Sequence, residues 1–113
     1  MEFALVGLFA IAAVGGLTLA GMKFAGKELP IPLALLHGAF AAAGLVTLIL
    51  NVMKNGTNRL LDVSLGLFVI AALGGFVLFS LQLMKKAQPA LLIAVHGLVA
   101  VIAFAVLLFA LFG

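Results

Sequence analysis

Long apolar runs separated by short polar segments organise this chain from end to end. Each run has about 20 residues, enough for a helix to cross a hydrocarbon core about 30 Å thick. The runs lack the apolar and polar alternation of membrane strands, so helices are the only spanning structure that the pattern allows. We therefore predict four transmembrane helices, over Phe3–Met22, Ile31–Met53, Leu60–Met84 and Ala90–Phe112.

The second half of the chain repeats the first. A shift of 59 residues aligns Gly7–Ile49 with Gly66–Leu108 without a gap, and 16 of the 43 aligned positions are identical. Each copy holds two spans, so both copies enter the membrane from the same side. We predict a single transmembrane domain, residues 1–113, that is an all-α, four-helix antiparallel bundle. Its two duplicated hairpins, residues 3–53 and 60–112, are related by a pseudo-two-fold axis along the membrane normal.

Composition excludes a soluble protein. The chain is 67% hydrophobic and 8% charged, with a mean hydropathy of +1.48, whereas soluble domains carry about 25% charged residues. The net charge of +3 is spread over the connecting segments, so binding to nucleic acid is not implied. The absence of cysteine excludes disulfide bonds and thiolate metal sites.

The connecting segments suggest an orientation and the helix ends. Segments 23–32 and 85–89 hold four of the six basic residues, which favours the cytoplasm for both hairpin turns and the outside for both termini. We expect the membrane to be the bacterial inner membrane. Pro30 and Pro32 are expected to start the second helix, with Pro89 in the place of Pro30 in the second copy. Thr57 or Asn58 is expected to cap the third helix.

Small and polar residues predict how the helices pack. Small residues spaced four apart let helix backbones approach closely in lipid. We predict two such ladders, on the first and second helices: Ala12, Gly16 and Ala20, then Ala34, Gly38 and Ala42. Isolated polar residues such as Thr47 and Ser64 are expected to bond locally to their own helix backbone or to lie at helix ends.

Apart from Asp62 in the first turn of the third run, two histidines are the only titratable side chains inside the apolar runs. His37 and His96 hold the same place in the two copies, five residues after Pro32 and seven after Pro89. At 1.5 Å per residue, both lie about 8–10 Å inside the membrane. Ionisable residues at such depths generally face the bundle interior and mark functional sites.

Small residues surround the expected histidine level. By residue counting, two glycine pairs reach this depth on the first and third helices: Gly15 and Gly16, then Gly74 and Gly75. The helix face beneath each histidine is also small: Ala41 and Gly44, then Ala100 and Ala103. Protein interiors do not keep large voids, so either neighbouring helices or a flat ligand must fill this space.

One haem satisfies this pattern. The second and fourth helices of a four-helix ring lie diagonally, about 12–14 Å apart, which suits two imidazoles on one iron. We predict a small b-type cytochrome that binds one haem b through His37 and His96 and transfers electrons. The glycine pairs would make room for the ring, the small residues beneath the histidines would line it, and the loop lysines would pair with its propionates.

The layout loosely resembles that of membrane cytochromes b, whose helices often place histidines at matching depths. No motif of that family covers the chain. Those proteins commonly carry two haems, whereas this sequence has ligands for one.

Two other functions stay open. The chain could be a cofactor-free accessory subunit of a larger membrane complex, with each histidine bonded to a carbonyl of a neighbouring helix. It could also bind a chlorophyll-type pigment, which needs one histidine per macrocycle. Catalysis by this chain alone is not expected, because no catalytic motif is present. The expected partners are the lipid bilayer and other membrane redox subunits or further copies of the chain.

Overall fold

The computed structural model describes residues 1–113 and is entirely helical. Its helices are α1 (Glu2–Phe24), α2 (Ile31–Asn55), α3 (Arg59–Leu83) and α4 (Ala90–Phe112). All four are long and apolar enough to cross a membrane, which is consistent with an integral membrane protein. The predicted spans agree with these helices to within two residues at every end.

The residues at the helix ends explain the boundaries. Pro30 and Pro89 occupy the N-cap positions of α2 and α4 with extended backbone, where a missing N–H removes no helical hydrogen bond. The side chain of Asn58 accepts a hydrogen bond from the Leu61 N–H at 2.9 Å and caps α3, as predicted.

The four helices form a closed ring. Helix α1 packs along α2, α3 packs along α4, and contacts of α2 with α3 and of α1 with α4 complete the ring. Large apolar side chains point outward from every helix; Phe3 is 84% exposed and Leu91 is 75% exposed. An apolar outer surface of this extent is what the hydrocarbon of a membrane covers.

The hydrophobic core fills one half of the bundle. It draws on the first halves of α1 and α3 and the second halves of α2 and α4: Leu5, Phe9, Leu48, Leu61, Phe68, Ala103 and Leu107. We call this the terminus end, and the opposite end, with connections 25–30 and 84–89, the loop end. At the centre, the rings of Phe9 and Phe68 stack with centroids 3.9 Å apart and planes 6° from parallel. Towards the loop end, beyond Ala12 and Ala71, Leu78 is the only buried residue.

Two packing predictions are wrong. On α2, Gly38 is exposed and no atom outside its own helix lies within 4 Å of where its Cβ would be, so the predicted ladder does not pack. The reason is that α2 turns the face of Gly44 and Leu48 inward, and both are buried. Ser64 is fully buried and donates a hydrogen bond to the Ala103 carbonyl of α4 at 2.9 Å. Thr47, in contrast, bonds to a carbonyl of its own helix, as predicted.

Helices α1 and α3 end in the same kind of turn. Gly26 and Lys85 both adopt left-handed backbone, with φ of 78° and 56°. The residue after each of them donates its N–H to a carbonyl at the end of the preceding helix, at 2.9 Å in both cases. This hydrogen bond is typical of the Schellman motif, which favours glycine at the left-handed position. The second turn therefore carries backbone strain at Lys85 that the first avoids.

Replacing Lys85 with glycine should stabilise the protein. Left-handed backbone costs an L-residue about 1–2 kcal/mol, and the greater freedom of glycine in the unfolded chain offsets part of the gain. We expect Lys85→Gly to raise the free energy of unfolding by about 1 kcal/mol, measured by SDS titration in mixed micelles. Lys86→Gly is the matched control, because Lys86 has no positive φ. Equal effects of the two substitutions would contradict the strain at Lys85.

Candidate functional site

The structure brings the two histidines together across the bundle. His37 projects from α2 and His96 from α4, and both side chains are partly buried. Their ring centroids are 6.3 Å apart and their planes are 88° from parallel. The pair lies on the loop side of the Phe9–Phe68 stack, so the stack stands between the histidines and the rest of the hydrophobic core.

Each imidazole is fixed by a hydrogen bond to the neighbouring helix. The Nδ1 of His37 lies 2.7 Å from the Ala12 carbonyl oxygen, and the Nδ1 of His96 lies 2.8 Å from that of Ala71. A carbonyl can only accept, so Nδ1 carries a proton in both rings. In the neutral imidazole the lone pair is then on Nε2. Both histidines thus present the same tautomer.

The predicted glycine pairs lie against the imidazole rings. A Cβ placed at Gly16 would be 2.9 Å from the Cε1 of His37, and one at Gly75 would be 3.2 Å from the Cε1 of His96. A Cβ placed at Gly15 would lie 3.5 Å from the His37 Cβ, and one at Gly74 would lie 3.4 Å from the His96 Nδ1, which are ordinary van der Waals distances. The pairs therefore provide the room that lets each ring reach the carbonyl of its neighbouring helix.

Two of the four small residues predicted beneath the histidines, Gly44 and Ala103, belong to the packed core. A Cβ placed at Gly44 would lie 2.8 Å from the Cε1 of Phe9, so the phenyl ring already fills that space. Ala103 is fully buried in the hydrophobic cluster. Ala41 and Ala100, one turn nearer the histidines, are partly buried. At the level of Gly44 and Ala103, neighbouring helices therefore occupy the space that a flat ligand was predicted to share.

A groove reaches His96 from the outer surface of the bundle. It has a volume of about 260 Å³, and its walls are mostly apolar residues of α3 and α4, including Val95 and Val99. The positions 59 residues earlier carry Leu36 and Phe40, which are larger side chains. The surroundings of the two histidines therefore differ on the outer side of the bundle.

Sequence reasoning allowed for a carbonyl partner of each histidine but did not identify the two carbonyls, and it did not predict the Phe9–Phe68 stack. The carbonyls of Ala12 and Ala71 have no signature of their own, although each lies one turn before a glycine pair. The Phe9–Phe68 stack had a signal, since both residues belong to the repeated GLF segment. No third ligand joins the histidines, because the structure contains no group of three or more His, Cys, Asp or Glu side chains that could hold a metal ion.

Adding one methyl group at Gly16 should displace His37. The Cβ of Gly16→Ala would overlap the Cε1 of the ring, so the imidazole must move away from the Ala12 carbonyl. We expect loss of the Nδ1–H tautomer of His37 in ¹⁵N NMR spectra, and a stability cost of about 1–3 kcal/mol.

Gly38→Ala is the matched control for this substitution. It adds the same methyl group beside His37 in sequence but into open space, so the His37 resonances should keep the wild-type tautomer. A Gly16→Ala spectrum identical to that of the control would show that the glycine does not position the ring.

Comparisons with protein-family models, with curated proteins and with solved structures found no match to this chain. No residue of the histidine pair can therefore take its role from a relative, and its chemistry has to be inferred from its own contacts.

Proposed function

We propose that this protein is a small b-type membrane cytochrome that holds one haem between His37 and His96 and transfers electrons. The observation that carries the proposal is the pair of imidazoles whose centroids lie 6.3 Å apart across the bundle, each with Nδ1 bonded to a backbone carbonyl. Bound haem would supply one-electron exchange at its iron. The chain would supply two ligands, their orientation and an apolar surrounding.

The donor set fits axial ligation of haem iron. Metal-ligating histidines almost always donate their other ring N–H to a carboxylate, a carbonyl or water, which fixes the tautomer and raises ligand basicity. His37 and His96 both meet this condition through Nδ1, leaving Nε2 for a metal. Histidine is a common axial ligand of haem iron.

The distance between the imidazole rings also fits two ligands of one metal ion. Imidazole nitrogens bind metals at about 2 Å, so two rings on opposite sides of one ion have centroids about 6 Å apart. The observed separation is 6.3 Å. Two stacked pigments, one on each histidine, would add a gap of about 3.5 Å between the macrocycles. The separation therefore favours one shared ring over a pigment pair.

We place the ligand towards the loop end, where fewer side chains are buried than at the terminus end. The Phe9–Phe68 stack closes the histidine level towards the terminus end, while few side chains are buried on the loop side. Lysines in both connections would be available to haem propionates at the membrane surface.

We propose that the architecture arose by duplication of one hairpin. The bond from histidine Nδ1 to a carbonyl spans 25 residues in each helix pair, and the histidine–glycine contacts recur at the 59-residue shift. These recurrences support an antiparallel bundle with a pseudo-two-fold axis between the histidines. The excess of lysines at the loop end supports a cytoplasmic location for it in a bacterial inner membrane.

One observation also favours a cofactor-free accessory subunit. The histidine–carbonyl bonds join α2 to α1 and α4 to α3. In this alternative the imidazoles have no role beyond holding neighbouring helices together. The wide apolar outer surface would suit packing within a larger membrane complex. The two functions differ in whether Nε2 has a partner.

The direct test is the visible absorption spectrum of the purified chain, oxidised and then reduced with dithionite, with haem quantified. We expect a sharp α-band on reduction and close to one haem per chain. A folded, colourless protein from cells with ample haem would contradict the cytochrome proposal and favour the accessory subunit.

Two substitutions at His37 separate ligation from clamping. His37→Met keeps a possible iron ligand but loses the bond to the Ala12 carbonyl, whereas His37→Gln keeps an N–H donor but has no ligating nitrogen. We expect the methionine variant to retain haem with a raised reduction potential and the glutamine variant to lose most of it. The reverse order, or equal haem contents, would contradict axial ligation by His37. His96→Met and His96→Gln repeat the test at the other ligand.

A further inference from the structure

The positive charge of the protein is concentrated at the loop end. Four lysines lie there, in the last turn of α1 and in the two connections, with Glu28 as the only acidic side chain: Lys23, Lys27, Lys85 and Lys86. At the terminus end, Lys54 and Arg59 are balanced by Glu2 and Asp62. The whole formal side-chain charge of +3 thus belongs to the loop end.

Backbone dipoles do not cancel this charge. Helices α1 and α3 end at the loop end while α2 and α4 begin there, so their macrodipoles offset one another. The sign of the surface is therefore set by the lysine side chains.

The connections hold the lysines at the membrane surface. Residues 25–30 and 84–89 are the only segments between the helices at this end, and turns this short do not extend far beyond the headgroups. The N–H of Lys27 and that of Lys86 are both bonded to the preceding helix, so their backbone positions are fixed. Both lysines thus leave the bundle at the same end, from fixed backbone positions.

Position 85 carries a lysine although its backbone conformation favours glycine. Its backbone is left-handed, and the corresponding turn of α1 has Gly26 in this conformation. Glycine at position 85 would relieve the strain but would remove a quarter of the basic side chains from the loop end.

We propose that the loop end binds the headgroups of anionic phospholipids, with the four lysines pairing with lipid phosphates. Lysine ammonium groups are compact cations that donate to phosphate oxygens. Near a membrane surface each basic residue contributes about 1 kcal/mol to anionic lipid binding, which is about five-fold in affinity. Zwitterionic lipids carry no net charge and give no such gain. The proposal does not depend on a haem.

The test measures lipid preference around the purified chain. The protein is reconstituted in phosphatidylcholine with a minor fraction of spin-labelled phosphatidylglycerol or spin-labelled phosphatidylcholine, and the motionally restricted fraction of each label gives their relative association constants. We expect phosphatidylglycerol to be preferred, and each of the double variants Lys23→Gln/Lys27→Gln and Lys85→Gln/Lys86→Gln to lower that preference at least about five-fold. Salt at 1 M should suppress it, since the Debye length is then about 3 Å.

The matched control is Lys54→Gln/Arg59→Gln, which removes two basic residues from the terminus end. It should retain the wild-type preference for phosphatidylglycerol. An equal loss in this control would overturn the assignment to the loop end, and an unchanged preference in both lysine double variants would overturn the role of the lysines. Circular dichroism checks that each variant is helical. Because each loop carries its own pair, either double variant decides the proposal if the other fails to fold.

Discussion

The hydrogen bond from each histidine Nδ1 to a carbonyl of the adjacent helix sets the geometry of the site. In lipid no water can replace it, so the bond fixes the ring orientation, the tautomer and the rotation of α2 against α1 and of α4 against α3. Glycine leaves room for it: a Cβ at Gly16 would lie 2.9 Å from the His37 ring and would displace it, and one at Gly75 would lie 3.2 Å from the His96 ring and would press against it. What Nε2 binds is a separate question, and the cytochrome proposal and the clamp alternative differ only there.

Much of this arrangement was predictable from the sequence, because hydropathy determines the spans and the 1.5 Å rise of a helix converts residue counts into depth. The number of residues from each helix end placed the glycine pairs at the depth of His37 and His96, and the structure has them beside these histidines. The ladder on α2 failed because small residues can pack on either side of a helix, and the interior face was taken by Gly44 and Leu48. The prediction of a local hydrogen bond for Ser64 was wrong for a related reason, since a buried hydroxyl can donate to a carbonyl of another helix as well as to one of its own.

The two halves of the bundle differ in packing and in charge. The terminus end holds the packed core and balanced charges, which suits it to stabilise the fold. The loop end holds the imidazoles, the lysines and few buried side chains. Both proposals concern this end. The cytochrome proposal is carried by the Nε2 of the histidines, with the lysines only as partners of the propionates, whereas the lipid proposal is carried by the Nζ of the lysines alone. One can therefore fail without the other.

The Phe9–Phe68 stack has a consequence for the membrane itself. Polar groups on the axis of a helical bundle invite water, and a file of water through the bundle would conduct protons. Two phenyl rings in van der Waals contact at 3.9 Å leave no width for such a file. The stack therefore closes the space between the two rings to water on the terminus side of the histidine pair.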